Sequence, residues 1–342
     1  MPAAAGLPAG ARRQEGVGPL AETAGPLLSL INIYKYFPVR KSFFSSEQVR
    51  VRAVDGVSLE LPPGRTLGLV GESGCGKTTL ARLAIRLVDP DAGTIRFEGN
   101  DITRMTGEAL RTTRRQMQSV FQDPCSSLNP RMKVRDIVGE GWLVHGLARG
   151  KELRERAARL LQRVGLPAEA GAKYPHEFSG GQRQRIGIAR AIALSPKLVV
   201  ADEPVSALDV SVQAQILNLL RDIQEEYGMA YLFVSHDLRV IRHMSDAVAV
   251  MYLGKVMESG PAAELFHEPL HPYTRSLLSA VPMLGDAPRE RIVLSGEIPS
   301  PVSPPPGCRF HTRCFMAQKM CSEVSPLLRE VSPGRFAACH FV

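Results

Sequence analysis

The 342-residue chain lacks any apolar run near the 18 residues that a membrane-spanning helix needs. Residues 1–26 consist mostly of Ala, Gly and Pro and lack the apolar core of a secretory signal, so we expect a disordered leader there. The sequence also lacks any zinc-finger, helix-turn-helix or RRM-like signature. The net charge of +8 is therefore not taken as a sign of nucleic-acid binding, and no nucleic-acid partner is expected.

Cysteine is scarce and unevenly placed. Two of the six cysteines, Cys75 and Cys125, stand alone in the body of the chain. The other four lie within the last 35 residues, in a proline-rich segment without a long periodic element: they are Cys308, Cys314, Cys321 and Cys339. Four thiolates suit either Zn²⁺ or an iron–sulfur cluster, although the absence of a C-x-x-C pair disfavours a zinc knuckle. Free or disulfide-linked thiols are the remaining alternative, and His311 and His340 are possible substitute ligands.

Short apolar runs alternate with helical patterns over most of the chain. The runs at 66–70, 197–201 and 230–234 predict buried strands, and the patterns at 78–87 and 211–227 predict helices. Strands that alternate with helices indicate an α/β fold with a mainly parallel sheet. A mainly helical subdomain is expected at about 123–190.

A glycine-rich segment follows the first of these strands and precedes a helix. It fits the phosphate-loop pattern G-x-x-x-x-G-K-[ST]. Glycines let backbone N–H groups turn towards a phosphate, and the helix N-terminus adds partial positive charge. Lys77 is expected to reach the β- and γ-phosphates, and Thr78 to contact Mg²⁺. The residues predicted to bind ATP in this segment are Gly71, Ser73, Gly74, Cys75, Gly76, Lys77, Thr78 and Thr79.

A second buried strand ends in two acidic residues, Asp202 and Glu203. The carboxyl edge of a parallel sheet places them beside the phosphate loop. We expect Asp202 to hold Mg²⁺ together with Thr78, and Glu203 to polarise the attacking water.

The segment Phe178-Ser179-Gly180-Gly181-Gln182 lies shortly before this strand and opens a helix. It resembles the signature of the ATP-binding cassette (ABC) ATPases. In that family two cassettes pack head to tail, so the resemblance implies that these four residues contact the ATP held by a partner: Ser179, Gly180, Gly181 and Gln182.

The resemblance covers 27–262 and implies roles for four more residues. Gln122 occupies the Q-loop position, where the family's glutamine contacts Mg²⁺ and the attacking water. Asp209 lies in the D-loop, which crosses the dimer interface, and His236 is the switch histidine that contacts the γ-phosphate. Phe37 matches the aromatic residue that stacks on adenine, although Tyr36 can take that place by a one-residue shift.

The remaining segment, 263–342, indicates which group of ABC ATPases the chain resembles. The stretches at 271–275, 296–301 and 307–314 are similar to the C-terminal region of oligopeptide and dipeptide importer ATPases, parts of which nickel importers share. The resemblance implies ATP and Mg²⁺ as cofactors and a 4Fe–4S cluster on the four tail cysteines, with Zn²⁺ as the alternative.

This resemblance also implies the setting in which the chain works. It predicts a peripheral ATPase subunit on the cytoplasmic face of the plasma (inner) membrane that energises uptake of di- and oligopeptides. The implied partners are a second ABC ATPase in a heterodimer, two membrane permeases that contact 125–132, and an external substrate-binding protein. The alternatives are an importer of nickel or another small solute and, more distantly, a soluble ABC ATPase that acts on ribosomes or DNA.

Overall fold

The computed structural model describes residues 25–40, 48–123, 127–280 and 290–342. Its strands are β1 (Leu28–Arg40), β2 (Gln48–Leu61), β3 (Thr66–Val70), β4 (Ala92–Phe97), β5 (Asn100–Asp101), β6 (Met117–Val120), β7 (Leu198–Asp202), β8 (Ala230–Val234), β9 (Ala247–Tyr252), β10 (Lys255–Pro261), β11 (Arg329–Ser332) and β12 (Arg335–Ala337). Its α-helices are α1 (Lys77–Ala84), α2 (Gly107–Arg115), α3 (Val134–Val144), α4 (Gly150–Arg163), α5 (Gly180–Ile192), α6 (Val210–Tyr227), α7 (Leu238–Met244), α8 (Ala262–His267), α9 (Pro272–Ser279) and α10 (Lys319–Glu323).

An eight-stranded sheet forms the centre of the fold, in the order β11-β12-β10-β9-β3-β8-β7-β6. The strands from β9 to β6 pair in parallel. Every residue of β3, β7, β8 and β9 is buried, as expected for parallel strands that are covered on both faces. The predicted α/β fold is confirmed, and the central sheet is mixed: the strands from β9 to β6 are parallel, whereas β10, β12 and β11 pair antiparallel at one side. A separate antiparallel sheet has the order β2-β1-β4-β5.

Four of the parallel strands end at the same edge of the sheet. Because β6, β7, β8 and β3 run in one direction, the residues that follow them along the chain meet there. Gln122 comes two residues after β6, Glu203 directly after β7, His236 two residues after β8 and Gly71 directly after β3. The sheet therefore gathers the predicted site residues at its carboxyl edge.

The described part of the predicted helical subdomain contains α3, α4 and the start of α5. Its single tryptophan, Trp142, is 6% exposed and donates a hydrogen bond from Nε1 to the Ala193 carbonyl, with 2.7 Å between nitrogen and oxygen. This bond ties α3 to the end of α5, so the helices pack as one unit.

The helix after the phosphate loop is shorter than its sequence pattern predicts. The prediction of 78–87 is wrong at its end, because α1 stops at Ala84. Arg86 has a left-handed backbone with φ of +57° and is only 4% exposed. Its guanidinium donates to the Ile102 carbonyl, a long-range bond that competes with continuation of the helix.

The C-terminal segment joins the central sheet. Strand β12 pairs antiparallel with β10, placing Phe336 opposite Ser259 and Ala337 opposite Glu258, and β11 pairs with β12. The sequence pattern predicts no long periodic element here, and the two short strands are stabilised as the outer edge of a larger sheet.

Candidate functional site

The phosphate loop has the backbone geometry that its glycines permit. Gly71 and Gly76 have φ of +152° and +109°, where side chains other than hydrogen are strained. A Cβ at Gly71 would lie 2.1 Å from the Met251 carbonyl oxygen, and one at Gly76 would lie 2.1 Å from the Ala53 carbonyl oxygen. Both positions therefore require glycine for two independent reasons.

The lysine of the loop lies inside its curve. The Lys77 ammonium donates to the carbonyls of Gly71 at 2.7 Å and Glu72 at 3.0 Å, and Lys77 is 5% exposed. Cys75 is also buried, which raises the pKa of its thiol. The remaining predicted loop residues face outward to varying degrees: Ser73 and Gly74 are exposed, and Gly76, Thr78 and Thr79 are half-buried.

Two oxygen-bearing side chains lie at the opening of the loop. The Thr78 hydroxyl donates to Asp202 Oδ1 across 3.1 Å. Burial raises the pKa of Asp202, and the nearby Glu203 adds to the rise, while the bond from Thr78 opposes it. A divalent cation would offset the cost of ionising this buried carboxylate, and hard oxygen donors of this kind are the ligands that Mg²⁺ prefers.

Two other predicted site residues, Gln122 and His236, contact the carboxylate of Glu203. Gln122 Nε2 donates to Glu203 Oε2 at 2.9 Å, and His236 Nδ1 lies 3.2 Å from Glu203 Oε1. Glu203 has an unusual φ of +48°, and its backbone N–H donates to the Val234 carbonyl on β8. The structure thus brings Gln122, Glu203 and His236 together at the end of adjacent strands.

The signature segment forms a capped helix start. The backbone N–H of Gln182 donates to Ser179 Oγ at 3.4 Å, and the backbone N–H of Ser179 donates to Gln182 Oε1 at 3.0 Å. This reciprocal pair is a capping box for α5. A Cβ at Gly180 would lie 3.5 Å from Leu208, and one at Gly181 would lie 2.4 Å from a methyl of Val212. The signature therefore packs against the D-loop and the first turn of α6.

Asp209 of the D-loop caps the helix that follows it. Its side chain accepts a hydrogen bond from the Val212 backbone N–H at 3.0 Å, at the start of α6. Val210, the first residue of that helix, is 81% exposed. The start of α6, directly after the D-loop, thus presents an apolar side chain to solvent.

The two aromatic candidates for the adenine differ in their surroundings. The Tyr36 hydroxyl donates to Asp55 at 2.5 Å, which fixes that ring on β1. The ring of Phe37 is 37% exposed, and the Lys35 ammonium lies 5.5 Å from its centroid. Phe37 is therefore the more exposed of the two aromatic side chains.

The four tail cysteines line one recess, whose walls also include Phe310, Pro272 and Phe341. All four are free thiols. Burial, and then the proximity of the other three cysteines, raise the pKa of Cys308 to about 11 against an opposing backbone hydrogen bond. In the described part of the chain, no three His, Cys, Asp or Glu side chains form a group that could hold a single metal ion. His311 Nδ1 contacts the Cys308 carbonyl and His340 Nε2 contacts the Val324 carbonyl.

One set of contacts at the phosphate loop was missed from the sequence. The C-terminal residues Tyr273 and Arg313 both contact Glu72, the second residue of the loop. Glu72 occupies a variable position of the loop pattern, so the motif gives no signal for it. Arg313 precedes Cys314 in the stretch 307–314, but no local pattern there indicates a contact with the phosphate loop.

The segment expected to contact membrane permeases is described only from residue 127 onward, because 124–126, including Cys125, lie outside the described residues. Within it the Ser127 carbonyl accepts a hydrogen bond from Arg190 on α5 at 2.7 Å, which ties the segment to the signature helix. Among the described helices, none combines the length and apolar character needed to cross a lipid bilayer.

Two family models match the chain. Residues 54–206 match the ABC transporter model, and residues 257–321 match the model for the oligopeptide/dipeptide transporter C-terminal region. The first covers the phosphate loop, the signature and Asp202-Glu203, and the second includes Cys308, Cys314 and Cys321.

Similar proteins extend over nearly the whole chain. The oligopeptide transport ATP-binding protein AppF of Bacillus subtilis is 54% identical over 92% of this chain and 97% of its own length. The dipeptide transport ATP-binding protein DppF of Haemophilus influenzae is 48% identical over 93% of this chain and 97% of its own length.

Solved structures match the cassette part. The ATP-binding cassette MJ0796, in a dimeric post-hydrolysis state bound to ADP and Pi, is 27% identical with a TM-score of 0.62, over 69% of this chain and 98% of that chain. The cbiO1 protein of Clostridium perfringens, part of the ABC transporter complex cbiONQ, is 27% identical with a TM-score of 0.60, over 71% of this chain and 92% of that chain. ATP and Mg²⁺ are the cofactors that this ATPase fold uses.

Proposed function

Because the chain belongs to the oligopeptide/dipeptide ABC transporter ATP-binding protein family, we propose that it is the ATP-hydrolysing subunit of a peptide importer. The observation that carries the hydrolytic part is the meeting of Gln122 and His236 on the two oxygens of Glu203. Peptide as the cargo is supported by the match to the oligopeptide/dipeptide transporter C-terminal region. It is also supported by a relative that is named as an oligopeptide transport protein and is matched over 97% of its length.

The phosphates of ATP would be bound by the loop from Gly71 to Thr79. Its backbone N–H groups and the N-terminus of α1 supply partial positive charge, and Lys77 adds a full charge. The loop carbonyls that accept from the Lys77 ammonium hold it inside the curve of the loop. Phe37 would stack on the adenine, which is supported by the exposure of its side chain and by the hydrogen bond that holds Tyr36 to Asp55.

The side chains that would hold Mg²⁺ are Thr78, Gln122 and Asp202. When bound, the ion supplies positive charge to the phosphate oxygens at which negative charge develops. Glu203 would orient the attacking water and accept its proton. Gln122 and His236 keep the carboxylate aimed, because each contacts a different oxygen of it.

A complete site would need a second cassette. The capped start of α5 offers a serine hydroxyl, bare glycines and a helix N-terminus, which together suit an anion. We propose that Ser179, Gly180, Gly181 and Gln182 contact the ATP of a partner ATPase, and that the exposed D-loop at Asp209 lies at the interface. Two different ATPase chains would then form a heterodimer.

We also propose that the four tail cysteines hold a 4Fe–4S cluster; because no three described side chains form a group that could hold a single metal ion, the cluster is favoured over the alternative, Zn²⁺. The support is the convergence of four free thiols on one recess. A bound cluster would join parts of a proline-rich segment through metal–thiolate bonds. Cys308, Cys314, Cys321 and Cys339 would supply the four ligands.

The subunit would work at the cytoplasmic face of the plasma (inner) membrane, bound there to other proteins. Two permeases would receive the movement of the cassettes through the segment 125–132, and an external binding protein would deliver the peptide. The hydrogen bond between Arg190 and the Ser127 carbonyl supports the role of 125–132 in transmitting movement, because it links that segment to the signature helix α5.

The variant Glu203→Gln tests the proposal in the assembled transporter. It keeps the shape of the side chain and removes its basicity, so ATP binding should persist while kcat falls by about 10²–10⁴-fold. The control Glu225→Gln changes an exposed carboxylate on α6 and should hydrolyse ATP like the wild type.

Uptake completes the test. Labelled di- and oligopeptides should enter vesicles that carry the transporter and its binding protein, and Glu203→Gln should stop that uptake. Retained hydrolysis in Glu203→Gln would contradict the role of Glu203, and uptake of nickel ions in place of peptides would contradict the cargo.

A further inference from the structure

Glu72 of the phosphate loop is held by two residues of the C-terminal segment. The Tyr273 hydroxyl accepts a hydrogen bond from the Glu72 backbone N–H at 3.0 Å. The Arg313 guanidinium donates to both carboxylate oxygens of Glu72, at 2.8 and 3.1 Å, and also to the Tyr252 hydroxyl at 3.4 Å. The main chain and the side chain of one loop residue are thus both fixed from outside the loop.

These contacts are well shielded from water. The side chains of Arg313 and Glu72 are 9% and 22% exposed, and Tyr273 is fully buried. A charge-assisted hydrogen bond in such surroundings is stronger than an ion pair on an open surface. The contacts are therefore strong enough to influence the position of the loop.

Glu72 is linked directly to the phosphate-binding lysine. Its carbonyl accepts from the Lys77 ammonium at 3.0 Å and from the Cys75 backbone N–H at 3.3 Å. The backbone N–H of Glu72 is therefore bonded to the C-terminal segment, and its backbone carbonyl is bonded to the phosphate-binding Lys77. A shift of Glu72 would move the carbonyl that orients Lys77.

The C-terminal side of this contact is rigidly supported. The ring of Tyr273 packs against Tyr252 and Phe310, with centroids 4.8 and 5.2 Å apart. Phe310 is fully buried and lies between Cys308 and Cys314 in the sequence, as Arg313 does. The cysteine-bearing loop and the phosphate loop are therefore neighbours through this aromatic cluster.

We propose that Arg313 and Tyr273 are positioning residues for the phosphate loop, so that the affinity of this cassette for ATP depends on its docked C-terminal segment. The inference rests on the proposed ATPase function and deepens it. Both residues contact Glu72 and act on the loop through it.

The experiment measures equilibrium binding of Mg-ATP to the full chain, and KM and kcat in the assembled transporter. Arg313→Met should weaken ATP binding about tenfold, equivalent to about 1.4 kcal/mol. KM should rise by a similar factor with little change in kcat, because the loop binds the phosphates before and during the reaction. Arg313→Lys, which keeps the charge, should recover most of the affinity.

A double-mutant cycle separates this role from general support of the fold. Glu72→Gln should weaken binding as Arg313→Met does, and the double variant should be no weaker than either single variant. Tyr273→Phe should weaken binding through the other contact with Glu72. Lys319→Met is the matched control, because Lys319 forms an exposed pair with Glu323 in the same segment.

The outcomes separate cleanly. Wild-type affinity in Arg313→Met and Glu72→Gln, or fully additive losses in the double variant, would overturn the inference. A lower melting temperature without a change in ATP affinity would also overturn it, since that is the result of a purely structural role. If Arg313→Met does not fold, Glu72→Gln carries the test from the loop side. A wild-type chain that does not bind ATP would count against the proposed function itself.

Discussion

A second arginine of the C-terminal segment attaches that segment to the antiparallel sheet. Arg309 donates to the Asp55 carboxylate on β2 and to the Leu253 carbonyl. The two side chains are 5% and 12% exposed, and Asp55 also accepts from the Tyr36 hydroxyl. In the described part of the chain, this ion pair between the C-terminal segment and the antiparallel sheet is therefore largely shielded from water.

The variant Arg309→Met keeps the bulk of the side chain and removes its charge. It leaves Asp55 largely buried without its ion-pair partner and leaves the Leu253 carbonyl without this donor. Removing one partner of a buried pair costs about 3–5 kcal/mol, because the remaining charge stays desolvated. At about 2 °C per kcal/mol, the low end for large domains, the melting temperature should fall by roughly 6–10 °C.

Thermal unfolding followed by circular dichroism measures this fall. The control Lys319→Met removes an ion pair whose side chains are 89% and 58% exposed, and it should cost at most about 1 kcal/mol. Adding Asp55→Asn to Arg309→Met removes the unpaired charge and should restore part of the loss. A melting temperature of Arg309→Met equal to that of the control would refute the reasoning, as would a double variant that shows the full sum of both losses.

Two further predictions concern the ligands. Phe37→Ala should raise KM for ATP about tenfold, since stacking of a base on an aromatic ring is worth about 1–3 kcal/mol. Tyr36→Phe should leave that KM unchanged and lower only stability, because its hydroxyl bonds to Asp55; the reverse pattern in ATPase assays would assign the adenine to Tyr36. Protein purified without oxygen should be brown and contain about four irons per chain. Cys308→Ser should lower that content in iron analysis, and colourless wild-type protein with bound zinc would contradict the cluster.

Much of the hydrolytic site could be predicted from the sequence, because its parts are local. A buried strand followed by glycines and Lys77 specifies a phosphate loop by short-range backbone geometry. Asp202 and Glu203 follow another such strand, and parallel strands deliver their carboxyl ends to one edge. The direct contact of Gln122 and His236 with the oxygens of Glu203 became visible only in the structure.

The end of the first helix shows where local pattern reaches its limit. The apolar spacing continues to Leu87, but the helix stops at Ala84. A tertiary bond from Arg86 to the Ile102 carbonyl accompanies the left-handed backbone there. The spacing of apolar residues indicates which face of a segment is buried. It does not indicate which distant carbonyl a side chain will bond to, so it could not predict where this helix ends.

The sequence by itself determined the α/β class, the phosphate loop, the signature and the cysteine-rich end, because each depends on spacings of a few residues. Only the tertiary structure decided that the C-terminal segment continues the central sheet through β12 and forms hydrogen bonds to Glu72 of the phosphate loop. The partners of Glu72 lie 201 and 241 residues away along the chain. Contacts between residues so far apart in the chain form only when the whole chain folds around a shared core, and a pattern of neighbouring residues does not predict them.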